Sequence, residues 1–479
     1  MKKTIFLWSP FILLFAISLF FGSVSIDPDF GWRLRLGNDI LAHGIPKTDP
    51  YTYSMPSFAF IDHEWLIHSG MALAHTMSGY FGLAIASAIL FTTTVVFATR
   101  RFERHWIAAH ALLLGASLLH HYAVKPQIIS WLFTGILMTM LMDTRWKSRW
   151  RYFAPLLLLL WANLHGGFIV GLGLCTLKLI SELWTERKWD ARMIGVFVVT
   201  VGAALLNPYG PRLFEEIIRT GSDARLRTQI LEWTPQFLYF NLSSFFLTAW
   251  VLTIFIRQFK HTTLFEKLTM ILLLIFGFSS SRNFPLWAVA AMPITARLLA
   301  VFIKTTGKNK EMRARMTKLA YGFALFVTLI LAFELFFLYK EMSSYSEANR
   351  YPAHAIEFLK KNDRQGNILT AYEWGGYMLW KYPEKKVFID GRMPSWRQNI
   401  TSKPTESADA LGEYMSFLAQ KKPMTPFLKK YHITTILLPQ SMFKSKNKDN
   451  AKSVALFKRK LEAAGYNIVY RDTVSLIYR

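Results

Sequence analysis

Ile26-Asp27-Pro28-Asp29-Phe30-Gly31-Trp32-Arg33-Leu34-Arg35 opens the first long polar stretch of the chain, and Ile61-Asp62-His63-Glu64-Trp65-Leu66 closes it. Two carboxylates bracket a proline at its start. Pro28 disfavours helix at Asp27, and residues two apart in an extended chain point the same way, so Asp27 and Asp29 are expected on one face. Behind them Trp32, Leu36 and Ile40 recur at helical spacing, with Arg33, Arg35, Asn38 and Asp39 elsewhere on the wheel. That pattern reads as a short amphipathic helix lying along a bilayer surface. Gly44, Pro46, Pro50 and Pro56 then enforce an irregular return to Asp62-His63-Glu64. An acid-rich loop folded back on a membrane surface is the first candidate site.

The rest of the chain supplies that membrane. Of 479 residues, 52% are hydrophobic and only 18% charged, and apolar runs of spanning length recur up to about residue 339. Spans are expected at 5–22, 80–99, 106–122, 127–142, 150–163, 167–184, 193–206, 242–257, 265–281, 284–303 and 317–339. The first is read as a retained span rather than a cleaved signal peptide, because it is long enough to cross. With the N-terminus in the cytoplasm, the inner connections carry 21 Lys and Arg, whereas the short outer turns carry only Lys125 and Arg282. That asymmetry is the positive-inside bias. It also accounts for the formal charge of +25 without nucleic acid. The single cysteine, Cys175, sits in an apolar run, which excludes a disulfide framework or a Cys-based metal site.

Eleven spans leave the C-terminal segment on the outer side. The expected fold is an α-helical polytopic membrane protein with a C-terminal extracytoplasmic α/β domain. Residues 1–340 form the transmembrane domain, with a first external loop at 23–66, and residues 341–479 form the soluble part. There, helices are expected at 352–361, 376–380, 414–420 and 454–464, strands at 367–371, 387–390 and 433–438, and a hairpin over 466–478. Residues 441–452 read as a Lys/Asn/Ser loop.

This topology gathers Asp27, Asp29, His63, Glu64, His120, His121, Lys125, Gln127, Asn163, His165, Arg282 and Asn283 on the external face. Ionisable groups at membrane depth are expensive and mark functional cavities. A partly desolvated carboxylate can act as general base toward a hydroxyl or amine, and interfacial cations can hold a lipid phosphate and stabilise its leaving charge. Carboxylates with histidines can also ligate a divalent cation. The residues call for no particular cofactor, and a divalent metal such as Mg or Mn stays open. His63-Glu64 are adjacent and His68 follows five residues after His63, which does not make a zincin site.

A first span followed by a large external loop opening on an acidic motif resembles the GT-C class of membrane glycosyltransferases. Within it, Asp27-Pro28-Asp29-Phe30-Gly31-Trp32-Arg33 is similar to the D-P-x-F-x-Y-R stretch of oligosaccharyltransferase catalytic subunits. The resemblance implies transfer of sugar from a polyprenyl-phosphate or diphosphate donor on the outer side of a bacterial inner membrane, with Asp27 as base and Asp29 or Glu64 assisting. Arg33, Arg35, His63, His120, His121, Lys125, His165, Arg282 and Asn283 are the candidates for the donor. A second likeness lies in Glu373-Trp374-Gly375-Gly376-Tyr377 between a strand and Asp390-Gly391-Arg392. Its layout is similar to the W-W-D-Y-G region of the same subunits, which implies acceptor binding by Glu373, Trp374, Tyr377, Asp390 and Arg392. The acceptor would be an envelope glycan, lipid or protein.

The chain departs from that family at its next external loop. Where the family carries a second acidic motif, this chain reads His120-His121-Tyr122-Ala123-Val124-Lys125-Pro126-Gln127, and a third acid is available only from Glu215, Glu216 or Glu232. Metal dependence and a sequon acceptor are therefore not carried over. Two other classes fit the outline. One is an O-antigen ligase or polymerase-like enzyme relying on external Arg and His. The other is a transporter or assembly scaffold, which predicts charge through the midplane that the spans largely lack.

Overall fold

A computed structural model describes residues 2–143, 152–187, 190–239, 241–307, 310–398, 401–444 and 448–479. The basic connections at 143–151, 186–192 and 304–318 and the loop at 441–452 lie partly outside these residues. The chain divides into two compact units, Met1–Ser23 with Ser78–Met342 and Val24–Met77 with Ser343–Arg479. The expected division at 340/341 follows the chain, whereas the second unit also takes in the whole acidic loop.

In the first unit a helix occupies each of the eleven apolar runs. Among the described residues four helices, Trp65–Thr99, Phe168–Thr185, Phe284–Thr306 and Lys310–Ser344, are long and apolar enough to cross a membrane, as befits a membrane protein. Phe284–Thr306 forms the core: every residue from Phe284 to Ala296 is buried. A helix apolar all round is buried all round, and this one packs against Arg104–Leu119, Gln127–Leu141, Leu242–Arg257 and Leu264–Ser279. Gly277 lets Leu264–Ser279 close on it, since a β-carbon there would lie 2.8 Å from Trp287 Cβ. Helix starts are chemically marked: Thr263 and Glu266 form a capping box, and Asn241 caps Leu242–Arg257. Trp65–Thr99 breaks at Gly79, whose φ of 64° suits glycine.

The second unit is built on a four-stranded sheet ordered β1 (Asn367–Thr370), β2 (Ile433–Pro439), β4 (Ser475–Tyr478), β3 (Ile468–Arg471). β1 and β2 are parallel, and β4 runs antiparallel to β2 and β3, closing the expected hairpin. Helices at Ala353–Lys361, Gly375–Lys381, Ala410–Leu418 and Lys448–Ala463 answer the expected ones, the last beginning inside the expected 441–452 loop. An additional helix, Met424–Lys430, precedes β2.

Two expectations are corrected. Residues 387–390 are not a strand of the sheet. Their partner is the acidic loop: Thr52 bridges Val387 in parallel, Tyr53 N–H donates to Val387 O at 3.1 Å, and Val387 N–H donates to Tyr51 O at 3.0 Å. The helix Phe30–His43 does not offer its apolar face to a bilayer either. Phe30, Trp32, Leu34, Leu36 and Ile40 are buried, and the helix packs on Gly375–Lys381. The approach is so close that a β-carbon at Gly31 would overlap the Gly376 carbonyl, and on the side of the Trp65–Thr99 helix one at Gly37 would overlap the His68 carbonyl.

Candidate active site

The acidic loop folds into a buried ionic cluster. Asp27-Pro28-Asp29 is a turn rather than an extended segment: Asp27 Oδ1 accepts from Asp29 N–H at 3.0 Å, and Asp27 O accepts from Phe30 N–H at 2.9 Å, starting the helix. The two carboxylates still converge, because Arg33 lies one helical turn on. Its Nη1 is 2.9 Å from Asp27 Oδ1, its Nη2 3.4 Å from Asp29 Oδ2, and its Nε 3.6 Å from Glu64 Oε2. The Arg33 side chain is only 7% exposed, while Asp29 keeps 30%.

Glu64 continues the network. His68 Nε2 lies 3.1 Å from Glu64 Oε2 and His68 Nδ1 2.9 Å from Asp62 Oδ2. Carboxylates only accept, so both bonds form when both ring nitrogens donate, as the imidazolium. Asp62 Oδ1 also accepts from Glu64 N–H at 2.9 Å, which fixes the entry to the helix beginning at Trp65. His63 Nε2 stands 3.7 Å from Glu64 Oε1. Trp32 lines the cluster, its ring edge-on to His68 at 5.1 Å and 5.0 Å from the Arg33 guanidinium. Asp27, Asp29, Glu64, Arg33 and His63 are thus brought together. Arg35 is turned elsewhere, with its Nε 2.9 Å from Asp39 Oδ2, an oxygen that also accepts from the Tyr51 hydroxyl at 2.7 Å.

Asp390-Gly391-Arg392 borders this cluster. Arg392 Nη1 is 2.8 Å from Asp49 Oδ1, and its Nε is 2.8 Å from Asp390 Oδ1. Burial opposes the charge on Arg392, but Asp390 and Asp49 outweigh it and hold the guanidinium well above its ordinary range. The rings of Tyr51, Phe60 and Trp396 surround it at 4.9–5.3 Å. Gly391 itself faces Asp29: a β-carbon there would overlap Asp29 Oδ1. The glycine pair explains how the neighbouring helix fits, since Gly375 abuts Ile389 and Asp390 while Gly376 abuts Pro28 and Trp32. Trp374 is buried and donates Nε1–H to Arg350 O at 2.8 Å. Tyr377 is buried with its hydroxyl donating to Glu347 at 2.6 Å. Glu373 is exposed and pairs with Arg350.

The remaining donor candidates lie in the helical unit, four of them in three groups. Lys125 Nζ and Arg282 Nη1 flank Glu232 at 3.7 and 2.7 Å. His120 Nε2 faces Glu334 Oε2 at 3.3 Å, and Glu334 Oε1 accepts from Ser243 N–H at 2.9 Å. His165 Nδ1 lies 2.7 Å from Ser130 Oγ, which accepts from Trp161 Nε1–H, and 2.9 Å from Gly167 N. His121 packs between Tyr239 and Phe284, and Asn283 precedes the Phe284–Thr306 helix.

Asp49, Asp62, His68, Ser130 and Glu334 were not among the sequence candidates. Two carried a signal. Glu64 and His68 are four residues apart at a helix start, and Glu334 is a lone acid in an apolar run. Among the described residues, no group of three or more His, Cys, Asp or Glu is arranged to hold a metal ion. The loop acids face Arg33 and His68 instead.

No protein-family model matches the sequence, and no curated protein does. In structure the chain is similar to the oligosaccharyltransferase AglB of Archaeoglobus fulgidus in complex with an inhibitory peptide and a dolichol-phosphate. The TM-score is 0.62 at 12% identity, covering 100% of this chain and 74% of that one. The apo form of the Archaeoglobus fulgidus oligosaccharyltransferase gives 0.60 at 13% identity, with 100% and 75% covered. The mycobacterial arabinofuranosyltransferase AftD gives 0.54 at 13% identity over 99% of this chain, which spans only 39% of that protein. At such identities the likeness is one of fold, and the fold is that of the GT-C membrane glycosyltransferases.

Proposed function

We propose that the chain is an integral membrane glycosyltransferase. It transfers a sugar from a polyprenyl-phosphate or diphosphate donor to an extracytoplasmic acceptor, with Asp27 as general base. The observation that carries this reading is the buried Asp27–Asp29–Arg33–Glu64 cluster in the first loop of a chain with the GT-C fold. AglB, the neighbour solved with dolichol-phosphate and a peptide, supports the choice of a lipid-linked donor. The reading includes about eleven spans, a cytoplasmic N-terminus and a C-terminal domain outside a bacterial inner membrane, as the basic loops indicate.

In this mechanism an acceptor hydroxyl or amine attacks the anomeric carbon while Asp27 takes its proton. The bond from that carbon to the phosphate oxygen breaks, and the polyprenyl phosphate or diphosphate leaves with the electron pair. Arg33 fixes the direction of the Asp27 carboxylate through Oδ1, and Glu64 with His68 braces Arg33 from the other side. Lys125, Arg282, His120 and His165 are proposed to serve the donor. Exposed Glu373 is proposed to meet the acceptor, while buried Trp374, Tyr377, Asp390 and Arg392 hold the surrounding structure.

The test is transfer of labelled sugar by membranes supplied with polyprenyl-linked donors, comparing the wild type with Asp27→Asn. Loss of a positioned base is expected to lower the rate about 10²- to 10⁴-fold with expression and folding retained. Unchanged transfer would remove Asp27 from the mechanism.

A further inference from the structure

Lys125 and Arg282 converge on one carboxylate, and that carboxylate is held unlike its partners. The Glu232 backbone is pinned: its carbonyl accepts from Arg282 N–H at 2.9 Å, Ser281 Oγ–H at 2.9 Å and Ser280 Oγ–H at 3.0 Å, and Ser281 N–H donates to Thr234 O at 2.7 Å. Its side chain is 39% exposed, against 14% for Lys125 and 23% for Arg282. Arg282 is seated from behind. Gln127 Nε2–H donates to Arg282 O at 2.8 Å, and the Arg282 guanidinium lies 5.3 Å from the Trp233 ring.

The charges also favour exchange. Lys125 and Arg282 pair with the same Glu232 carboxylate. A phosphomonoester or a diphosphate group brings more negative charge than a carboxylate and three or more acceptor oxygens, and suits two convergent donors better than a single carboxylate does. We infer that Lys125 and Arg282 form a phosphate-binding clamp in which Glu232 is a resident carboxylate that the ligand must displace. This deepens the donor reading of the two cations and rests on it. It adds a built-in competitor: a monoanionic phosphodiester displaces Glu232 less well than a diphosphate or a phosphomonoester does, so the clamp narrows the donor reading toward a diphosphate-linked sugar.

The experiment is equilibrium binding to the full-length protein in lipid nanodiscs, with two probes: inorganic diphosphate, and a polyprenyl phosphate incorporated in the bilayer. Glu232→Gln, which keeps the shape and removes the charge, is expected to bind about two- to fivefold more tightly than the wild type. That range matches the weight of a partly exposed ion pair. Glu232→Asp, which keeps the charge, is expected not to bind more tightly. Replacing both Lys125 and Arg282 by Gln is expected to weaken binding, and adding Glu232→Gln to that variant is expected to change nothing further. The probe that shows the tightening identifies the source of the phosphate, headgroup or free anion. Glu232→Gln binding both probes no better than the wild type would overturn the proposal and leave Glu232 as a structural partner of the two cations. The readout needs no turnover. If Asp27→Asn leaves sugar transfer intact, or no transfer is found at all, the clamp is still judged by these affinities alone.

Discussion

The two ionic clusters are charge inversions of one another. In the mixed unit, four carboxylates (Asp27, Asp29, Asp62 and Glu64) surround one arginine and one histidine, an excess of two negative charges when His68 is protonated (4 − 2). In the helical unit, Lys125 and Arg282 share one glutamate, an excess of one positive charge (2 − 1). The acidic cluster is deeply buried and interlocked through Arg33, whereas the basic one is half open and held together by a single exposed side chain. A buried network of this kind is part of the fold, while a half-open clamp is available for exchange with a ligand. Removing the central residue of each should therefore have different consequences.

The largest effect is expected at Arg33. Arg33→Leu leaves Asp27, Asp29 and Glu64 facing one another without their shared cation, and losing one partner of a buried ionic network costs about 3–5 kcal/mol. Chemical denaturation of the purified protein should show it at neutral pH. A variant as stable as the wild type would mean that the acids do not depend on Arg33. Gly391→Ala should come next. Its β-carbon overlaps the Asp29 carboxylate, and over-packing of this kind costs about 1–3 kcal/mol. Sugar transfer should fall further than stability does, because Asp29 is displaced.

Arg282→Gln sharpens the contrast. Its pair with Glu232 is partly exposed, so stability should change by less than about 1 kcal/mol, while binding of the phosphate probe weakens. A large loss of stability would show that the clamp, too, is part of the fold. The smallest effect concerns Glu347, outside both clusters. Burial by itself raises its pKa, but hydrogen bonds from Tyr377 and Lys381 outweigh burial and hold it below the usual carboxylate range. A depressed folded value stabilises above the unfolded pKa, about 4.3, and the contribution is lost as pH falls through the folded one. The melting-temperature gap between the wild type and Glu347→Gln should be present at pH 7 and close below about pH 4.

The helices were legible because each is announced by its own apolar run, a signal local in sequence. The acid motif was legible for the same reason: Asp27, Asp29 and Arg33 lie within one turn and a helical repeat. What the sequence hid depends on distant partners. Residues 387–390 have strand-like composition, yet they pair with residues 51–53 and not with the sheet. The Phe30–His43 helix has the periodicity of a membrane-surface helix, but the Gly375-Gly376 pair lets another helix cover it. His68 was set aside because its spacing from His63 fits no metalloprotease. Its spacing from Glu64 was the informative one.

The mixed unit is discontinuous in the chain, and that has a consequence for its birth. Ser54 donates its hydroxyl proton to the carbonyl of Phe388, 334 residues later. At about 5–20 residues per second, the ribosome needs roughly 13–50 s to travel from Met77 to Ser343. Throughout that interval the acidic loop has been made and its partner has not. The packing of that loop against residues 387–388 is therefore completed only after the helix Lys310–Ser344 has been synthesised. A chain stalled or truncated before residue 343 would carry nearly the whole helical unit and an acidic loop without its partner.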